Sequence, residues 1–227
     1  MNKNRIATYV DLEEPKLPAN SEFKKGWRFL LYCLLKFLLL ILYRPKLVGK
    51  ENIPNDEQFI VIANHKSAWD PILIIAYADI WPDWIGKESL FKTKLMAKFM
   101  MSLGVIPVDR KLNDITALRR IMSRLMDGRI IGLFPEGTRL RTYQDIIKNK
   151  PKTVFVDLAK KRKIKILPIA IDGKYYIFRP MLIRVLPAVE VYSEDMKNLG
   201  KGEIAIELMR NIYQACGEDY PENIEFI

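Results

Sequence analysis

Short, continuous apolar runs alternate with longer stretches of helical periodicity along most of the chain after Pro45. The clearest run is Phe59–Ala63, whose β-forming residues are typical of a strand buried on both faces. The other runs that predict strands are 84–86, 105–108, 130–134, 166–171 and 182–191, the last as one strand or two short ones. The stretches that predict helices are 71–80, 92–103, 114–127, 153–163 and 203–215, the last directly after Gly202. Strands separated by helices predict an α/β fold with a largely parallel sheet flanked by helices.

Two polar or special residues refine this pattern. Asp114 stands directly before a helical stretch, where an aspartate side chain can cap the first backbone N–H groups. Pro168 lies inside the apolar run 166–171, and proline has no N–H to donate to a neighbouring strand. We therefore expect this strand to lie at an edge of the sheet or to contain a bulge.

The N-terminal part of the chain follows a different pattern. Residues 1–21 mix charged residues with two prolines, which predicts a flexible leader. Residues 27–43 are apolar apart from Arg28 and Lys36, and they fall short of the ~20 residues that a membrane-spanning helix needs. We interpret them as an amphipathic helix lying in one leaflet of a membrane; a buried core helix and a true span are the alternatives. The chain then divides into a leader with an anchoring helix, 1–44, and a main domain, 45–227.

Composition narrows the classes of function. The 227 residues include 37 Lys and Arg against 27 Asp and Glu, a formal net charge of +10. Between residues 141 and 184, 12 basic side chains stand against 3 acidic ones. Such a block indicates an anionic partner, namely a lipid headgroup, a phosphorylated substrate or a nucleic acid, and a solvated lysine-rich surface is the alternative. No recognised nucleic-acid-binding motif is present, so we expect no nucleic-acid partner.

The counts of cysteine and histidine bear on cofactors. Two cysteines are too few for a disulfide framework. One histidine and no CxxC pair argue against a His/Cys metal site, although these counts leave a carboxylate-bound magnesium ion open. We expect no metal.

The single histidine, His65, directly follows the predicted strand 59–63, and ligands bind at the carboxyl ends of strands in parallel α/β sheets. Asp70 comes five residues later, too far round a continuous helix to share a face with His65. The two can meet only if His65 lies in a turn and Asp70 begins a helix, which Pro71 favours. Asp70 would then orient the imidazole of a general base. The alternative is that Ser67 and Asp70 form a capping box.

Two arginines follow other predicted strands. In the segment 134–139, Gly137 permits a turn, and Thr138 and Arg139 offer a hydroxyl and a guanidinium to an anion. Arg110 ends the segment 104–110 in a comparable position. The alternatives are an ordinary turn with a surface arginine and, for Arg110, an ion pair with Asp109.

Taken together and in this order, four blocks resemble the glycerophospholipid acyltransferase family, in particular the 1-acylglycerol-3-phosphate O-acyltransferases. The H-x4-D motif of the family matches His65 and Asp70, and its Glu-Gly-Thr-Arg block matches 136–139. Its block ending in arginine matches 104–110, and its proline-containing block matches Leu167 and Pro168. The resemblance covers about residues 45–190.

This resemblance implies acyl transfer from an acyl thioester, acyl-CoA or acyl-carrier protein, to the free hydroxyl of a lysophospholipid. The expected acceptor is 1-acylglycerol-3-phosphate, which would give phosphatidic acid. His65 would be the base and Asp70 its orienting partner. The residues implied in binding the substrate phosphate are Arg110, Glu136, Gly137, Thr138 and Arg139.

The resemblance also carries expectations beyond the site. It implies no cofactor besides the acyl donor, and an enzyme associated with the cytoplasmic face of a membrane. The alternatives are an acyltransferase for another lysolipid and a non-catalytic basic protein that binds membranes.

Overall fold

The protein has an α/β fold in a computed structural model that describes residues 26–55, 58–109, 114–140 and 142–221. Its strands are β1 (Lys46–Val48), β2 (Phe59–Ala63), β3 (Asp83–Lys87), β4 (Ile106–Val108), β5 (Ile131–Leu133), β6 (Lys165–Asp172) and β7 (Leu182–Val185). Its helices are α1 (Trp27–Tyr43), α2 (Asp70–Ala78), α3 (Lys94–Ser102), α4 (Ile115–Met126), α5 (Tyr143–Lys148), α6 (Val154–Arg162), α7 (Glu194–Lys197) and α8 (Lys201–Ala215). The predicted α/β fold, with mostly parallel strands flanked by helices, is confirmed.

The described residues fall into two compact units. The smaller unit comprises 81–132 and the larger one comprises 26–80 with 133–221. In the smaller unit β3 pairs in parallel with both β4 and β5. The Asp114 side chain caps α4 as predicted, by accepting a bond from the Ala117 N–H at 2.9 Å.

A buried ion pair joins the two parallel strands of the smaller unit. Asp83, the first residue of β3, accepts two hydrogen bonds from the Arg129 guanidinium, which lies just before β5. The Asp83 side chain is fully buried and Arg129 is only 5% exposed. The pair therefore fixes the register at which β3 and β5 begin.

The larger unit contains β1, β7, β6 and β2, side by side in that order. The pairings β1–β7 and β2–β6 are parallel, and β6–β7 is antiparallel. All five residues of β2 are buried, and successive residues of a strand point to opposite faces, so both faces of this strand are covered. Helix α6 packs on β2 and α8 on β6, while α2 packs on β1 and β7.

Pro168 lies in an interior strand, beside a bulge in the segment that pairs with it, which agrees with the second of the two expected alternatives, an edge or a bulge. In the antiparallel pairing, the Leu186 N–H donates to the Pro168 carbonyl at 2.9 Å. The next bridge joins Ile166 to Val189. The two bridges are therefore two residues apart along β6 and three residues apart along the partner segment. One extra residue in a partner strand defines a β-bulge. The missing N–H of proline therefore falls where the regular ladder ends.

The helix predicted over residues 27–43 is present as α1. Only Leu39 and Tyr43 of this helix are buried, and eight large apolar side chains are exposed: Trp27, Phe29, Leu30, Leu34, Phe37, Leu38, Leu40 and Ile41. No helix in the described parts of the chain is both long and apolar enough to cross a membrane. The attachment of α1 to a membrane and the division of the chain at residue 44 stay predictions.

Helix α8 begins earlier than predicted. Gly202 is its second residue instead of the residue before it, and the helix starts after Gly200. The Glu203 side chain accepts the Gly200 N–H at 2.8 Å, which sets this start.

Candidate active site

His65 and Asp70 meet at the carboxyl end of β2. The His65 Nδ1 atom lies 2.8 Å from the Asp70 Oδ2 atom. His65 lies in the loop after β2, and Asp70 is the first residue of α2 with Pro71 next to it, which is the arrangement that the spacing requires. The sequence-predicted pair is thus brought together in the larger unit.

The Asp70 carboxylate is completely buried, and four donors point at it. Besides the imidazole, Oδ2 accepts the N–H groups of Lys66 at 2.7 Å and Ser67 at 2.8 Å. The Tyr175 hydroxyl donates to Oδ1. Backbone N–H groups can only donate, so Oδ2 acts as an acceptor, and a buried carboxylate oxygen faces the imidazole.

The capping-box alternative holds only in part. The Asp70 side chain accepts the Ser67 N–H, but the Ser67 hydroxyl accepts the N–H of Trp69 at 3.3 Å instead of that of Asp70. Asp70 therefore both orders the turn that precedes α2 and holds His65.

The bond from Nδ1 to Asp70 fixes the tautomer of His65. An ionised carboxylate accepts the Nδ1 proton, which leaves the lone pair of a neutral imidazole on Nε2. Nε2 forms no hydrogen bond with the described residues. The ring stacks on Phe134 at 4.0 Å between centroids, and 15% of the side chain is exposed. The imidazole is therefore held rigidly with its basic nitrogen available to a ligand.

Glu136 lies beneath this pair and not at the surface. Its Oε2 atom accepts the backbone N–H of His65 at 2.8 Å, and its Oε1 atom accepts the hydroxyl of Tyr213 from α8. Burial, with the residue only 5% exposed, raises the pKa of Glu136 to about 8 despite these two donors. Burial and the same contact raise the pKa of the Tyr213 hydroxyl. From its buried position Glu136 thus holds the loop that carries His65.

The other residues predicted to bind phosphate lie in the turn after β5. Gly137 has a φ of 68°, and its N–H closes the turn by donating to the Phe134 carbonyl at 2.9 Å. Thr138 and Arg139 are exposed. The Leu140 N–H donates to the His65 carbonyl at 2.9 Å, so the arginine is one residue from a direct link to the histidine loop. Arg110 lies outside the described residues.

Sequence reasoning missed three residues of the site. Asn64 is fully buried, and its side-chain amide makes two hydrogen bonds to the backbone of Ile171. The amide oxygen accepts the Ile171 N–H at 2.8 Å, and the amide nitrogen donates to the Ile171 carbonyl at 3.1 Å, which extends the β2–β6 pairing by one position. Tyr175 and Tyr213 bond the two carboxylates. A polar residue directly after an apolar strand was a signal for Asn64, but no local pattern marks the tyrosines.

The cofactor and metal expectations stay predictions. Among the described residues no three side chains of the His, Cys, Asp and Glu types come together as a metal site would require.

Comparison with known proteins gives one consistent family. The family described as acyltransferase matches residues 44–172 of the chain. A 1-acyl-sn-glycerol-3-phosphate acyltransferase of Borreliella burgdorferi is 32% identical over 178 residues, 70% of this chain and 70% of that protein. One of Bacillus subtilis, with the same name, is 30% identical over 142 residues, 61% of this chain and 68% of that protein.

A solved structure is also similar. The crystal structure of the 1-acyl-sn-glycerophosphate (LPA) acyltransferase PlsC from Thermotoga maritima matches with a TM-score of 0.63. The match covers 82% of this chain and 78% of the other at 24% identity, a level that supports a shared fold. The family match spans more than half of the chain, including His65, Asp70 and the 134–139 turn, and the chain therefore belongs to the acyltransferase family.

Proposed function

We propose that this enzyme transfers an acyl chain from an acyl thioester to the free hydroxyl of 1-acylglycerol-3-phosphate and so makes phosphatidic acid. The observation that carries the proposal is the buried Asp70 carboxylate bonded to His65 Nδ1, which leaves Nε2 as an available base. The names of the similar proteins support the choice of acceptor. Acyl-CoA and acyl-carrier protein both carry the acyl chain as a thioester, so both fit the proposed role of acyl donor.

The proposed reaction needs one base and no covalent intermediate on the enzyme. The hydroxyl proton moves to Nε2 as the hydroxyl oxygen forms a bond to the thioester carbonyl carbon. The tetrahedral intermediate then breaks its C–S bond, and the leaving thiolate takes the proton from the imidazolium. Asp70 lowers the energy of the imidazolium between the two steps because its negative charge lies 2.8 Å from Nδ1.

A cysteine nucleophile does not fit the geometry. Burial raises the pKa of the Cys216 thiol to about 12, so it holds its proton at neutral pH. Its sulfur lies against the Asn64 amide and the Ile171 carbonyl instead of the imidazole. Cys33 lies on α1, among the exposed apolar side chains of that helix. Direct attack by the acceptor hydroxyl is therefore the simpler pathway.

Arg139 is proposed to bind the phosphate of the acceptor. Its side chain is exposed and has no ion pair within the described part of the chain. A guanidinium can bind phosphate through two parallel charge-assisted bonds. The link from Leu140 to His65 keeps this group near the base, and Thr138 offers a further hydroxyl. Arg110 is proposed to assist from the preceding block.

The acceptor and the product are both lipids, so the proposal places the enzyme at a membrane, and the resemblance implies the cytoplasmic face. The exposed apolar side chains of α1 support this location, because such a surface is stabilised by insertion between lipids. The charge in the middle of α1 has partners within the protein. The Lys36 ammonium donates to the Tyr32 hydroxyl at 3.1 Å and lies over the rings of Tyr32 and Tyr77.

The test is an acyl-transfer assay on the purified full chain with a panel of lysolipid acceptors and both classes of donor. The wild type should favour the phosphate-bearing acceptor, and His65→Ala should lose activity about 10²–10⁴-fold or more. Asp70→Asn can keep the hydrogen bonds but not the charge, so it should be severely impaired too. Full activity of a folded His65→Ala variant, or no transfer to any acceptor by the wild type, would overturn the proposal.

A further inference from the structure

Among the described residues, Tyr175 is the one side chain that bonds Asp70 from a distant part of the chain. It lies in the segment between β6 and β7, 105 residues after Asp70, and its hydroxyl donates to Oδ1. The other three donors to this carboxylate, from 65–67, all bond Oδ2. Since Asp70 is completely buried, Tyr175 supplies the one bond that Oδ1 receives from the described residues.

The segment that carries Tyr175 is attached to the end of α1. The N–H groups of Phe178 and Met181 donate to the carbonyls of Leu42 at 2.6 Å and Tyr43 at 3.0 Å. The Tyr43 ring meets the Tyr175 ring edge-on, with 5.2 Å between centroids. The segment is thus held by backbone bonds three and six residues after Tyr175, and the phenol by its ring contact with Tyr43, independently of Asp70.

We infer that Tyr175 is a positioning residue for acyl transfer, which fixes the Asp70 carboxylate so that it holds His65 with Nε2 toward the acceptor hydroxyl. The inference rests on the proposed function and adds to it a residue outside the four sequence blocks. It also makes the end of α1 part of the support of the active site, because the Tyr175 segment is bonded there.

The phenol has the chemistry for this role. Burial, together with the charge of Asp70, raises the pKa of Tyr175, so the hydroxyl keeps its proton and remains a donor. Donation to Oδ1 spreads the negative charge of the carboxylate and prevents it from rotating. If the Tyr175 hydroxyl is removed, the buried Oδ1 atom loses this hydrogen bond. More of the negative charge of the carboxylate then acts on the imidazole.

The consequence for His65 has a definite sign. A more concentrated charge on Asp70 favours the imidazolium, so the pH midpoint of the His65 titration should rise when the Tyr175 hydroxyl is removed. Among the described residues, the titratable groups that bond to His65, to its two carboxylate partners or to the Lys66 side chain are Lys66, Asp70, Glu136, Tyr175, Tyr213 and Glu218. Lys66 and Glu218 form an ion pair at 2.6 Å, so their charges largely offset each other.

The experiment compares Tyr175→Phe with Tyr77→Phe in the full chain. Tyr77 is a matched control, since it is a partly buried tyrosine in the same unit whose hydroxyl bonds a neutral acceptor, the Lys36 carbonyl, at 3.3 Å. The readouts are kcat and acceptor KM in the transfer assay, and the NMR titration of the imidazole. Because the chain contains one histidine, an untagged sample gives the signals of His65 alone.

Tyr175→Phe should lower kcat about ten- to hundredfold with little change of acceptor KM, the size expected for a misplaced catalytic group. The pH midpoint of the His65 titration should be higher in Tyr175→Phe than in the wild type. The wild type and Tyr77→Phe should have the same midpoint. In an Asp70→Asn background, Tyr175→Phe should produce no further shift, because the effect passes through the carboxylate.

Two results would overturn the inference. One is a His65 midpoint in Tyr175→Phe that equals or falls below that of Tyr77→Phe. The other is a shifted midpoint with unchanged kcat, which would leave Tyr175 without a role in transfer. The titration needs no substrate, so it decides the case even if the wild type fails to acylate the proposed acceptor, a failure that would count against the function alone.

Discussion

Replacing Glu136 with glutamine should remove a pH dependence of stability that the buried carboxyl group creates. In the folded chain its pKa is raised from 4.5 to about 8 by burial. Between these two values the folded state keeps the proton and the unfolded state has lost it. The free energy of unfolding should therefore fall as pH rises through this window and level off above about 8.

The size of the effect follows from the width of the window. Each pH unit costs about 1.4 kcal/mol, so the loss across the whole window is at most about 5 kcal/mol. Glutamine has no proton to lose, and its carbonyl can still accept the His65 N–H while its amide bonds the Tyr213 oxygen. Glu136→Gln should thus gain stability relative to the wild type as pH rises, with acceptor KM nearly unchanged.

The assay is urea unfolding of the wild type and Glu136→Gln at several pH values between 5 and 9, with the free energy extrapolated to water. Glu194→Gln is the matched control, because Glu194 is exposed on α7 and pairs with Lys197 at 3.2 Å. The difference between wild type and Glu136→Gln should grow with pH, and that for Glu194→Gln should stay flat. A flat difference for Glu136→Gln would mean that the buried group is ionised throughout, and would refute this reasoning.

Three other perturbations have expected outcomes. Arg139→Ala should raise acceptor KM about ten- to hundredfold with little effect on donor KM, and Arg139→Lys should recover part of the loss, as steady-state kinetics would show. Asp83→Ala should lower the free energy of unfolding by about 3–5 kcal/mol, measured by urea unfolding, because it removes the carboxylate that pairs with the buried Arg129 guanidinium. Removing residues 1–44 should weaken cosedimentation with vesicles, whereas high salt should not release the intact chain.

The contrary results for these three are equally specific. An unchanged acceptor KM in Arg139→Ala would move this arginine out of the phosphate site. Full stability of Asp83→Ala would show that the ion pair contributes little. Complete cosedimentation of the truncated chain would place the membrane contact outside residues 1–44.

The strands and the His65–Asp70 pair were predictable because their signals are local. A continuous apolar run such as 59–63, bounded by polar residues, has few structural alternatives to a buried strand. The five-residue spacing from His65 to Asp70, directly before Pro71, restricts the geometry in which the two can meet. Most limits of the strands and helices shifted by one or two residues, since capping contacts such as that of Glu203 are not visible in hydrophobic periodicity. The strand predicted over 182–191 is shorter and ends at Val185.

What the sequence could not supply are the contacts between distant segments. The hydroxyls of Tyr175 and Tyr213 reach carboxylates 105 and 77 residues away, and only the packing of β6 and α8 brings them there. Glu136 shows the same limit, since Thr138 and Arg139 of the same turn are exposed, whereas the Glu136 side chain turns inward to His65. For Pro168, the missing N–H predicted a disturbed ladder, but the choice between an edge and a bulge depended on a partner strand far along the chain.

The central claim is that His65 is the base, and its single occurrence in the chain allows a direct test. The acid limb of kcat/KM against pH reports the base of the free enzyme, while NMR reports the imidazole titration in the same free protein. The account predicts that the two midpoints coincide in the wild type and move together in Tyr175→Phe. An acid limb whose midpoint differs from that of the imidazole, or that stays in place when the imidazole midpoint moves, would contradict it.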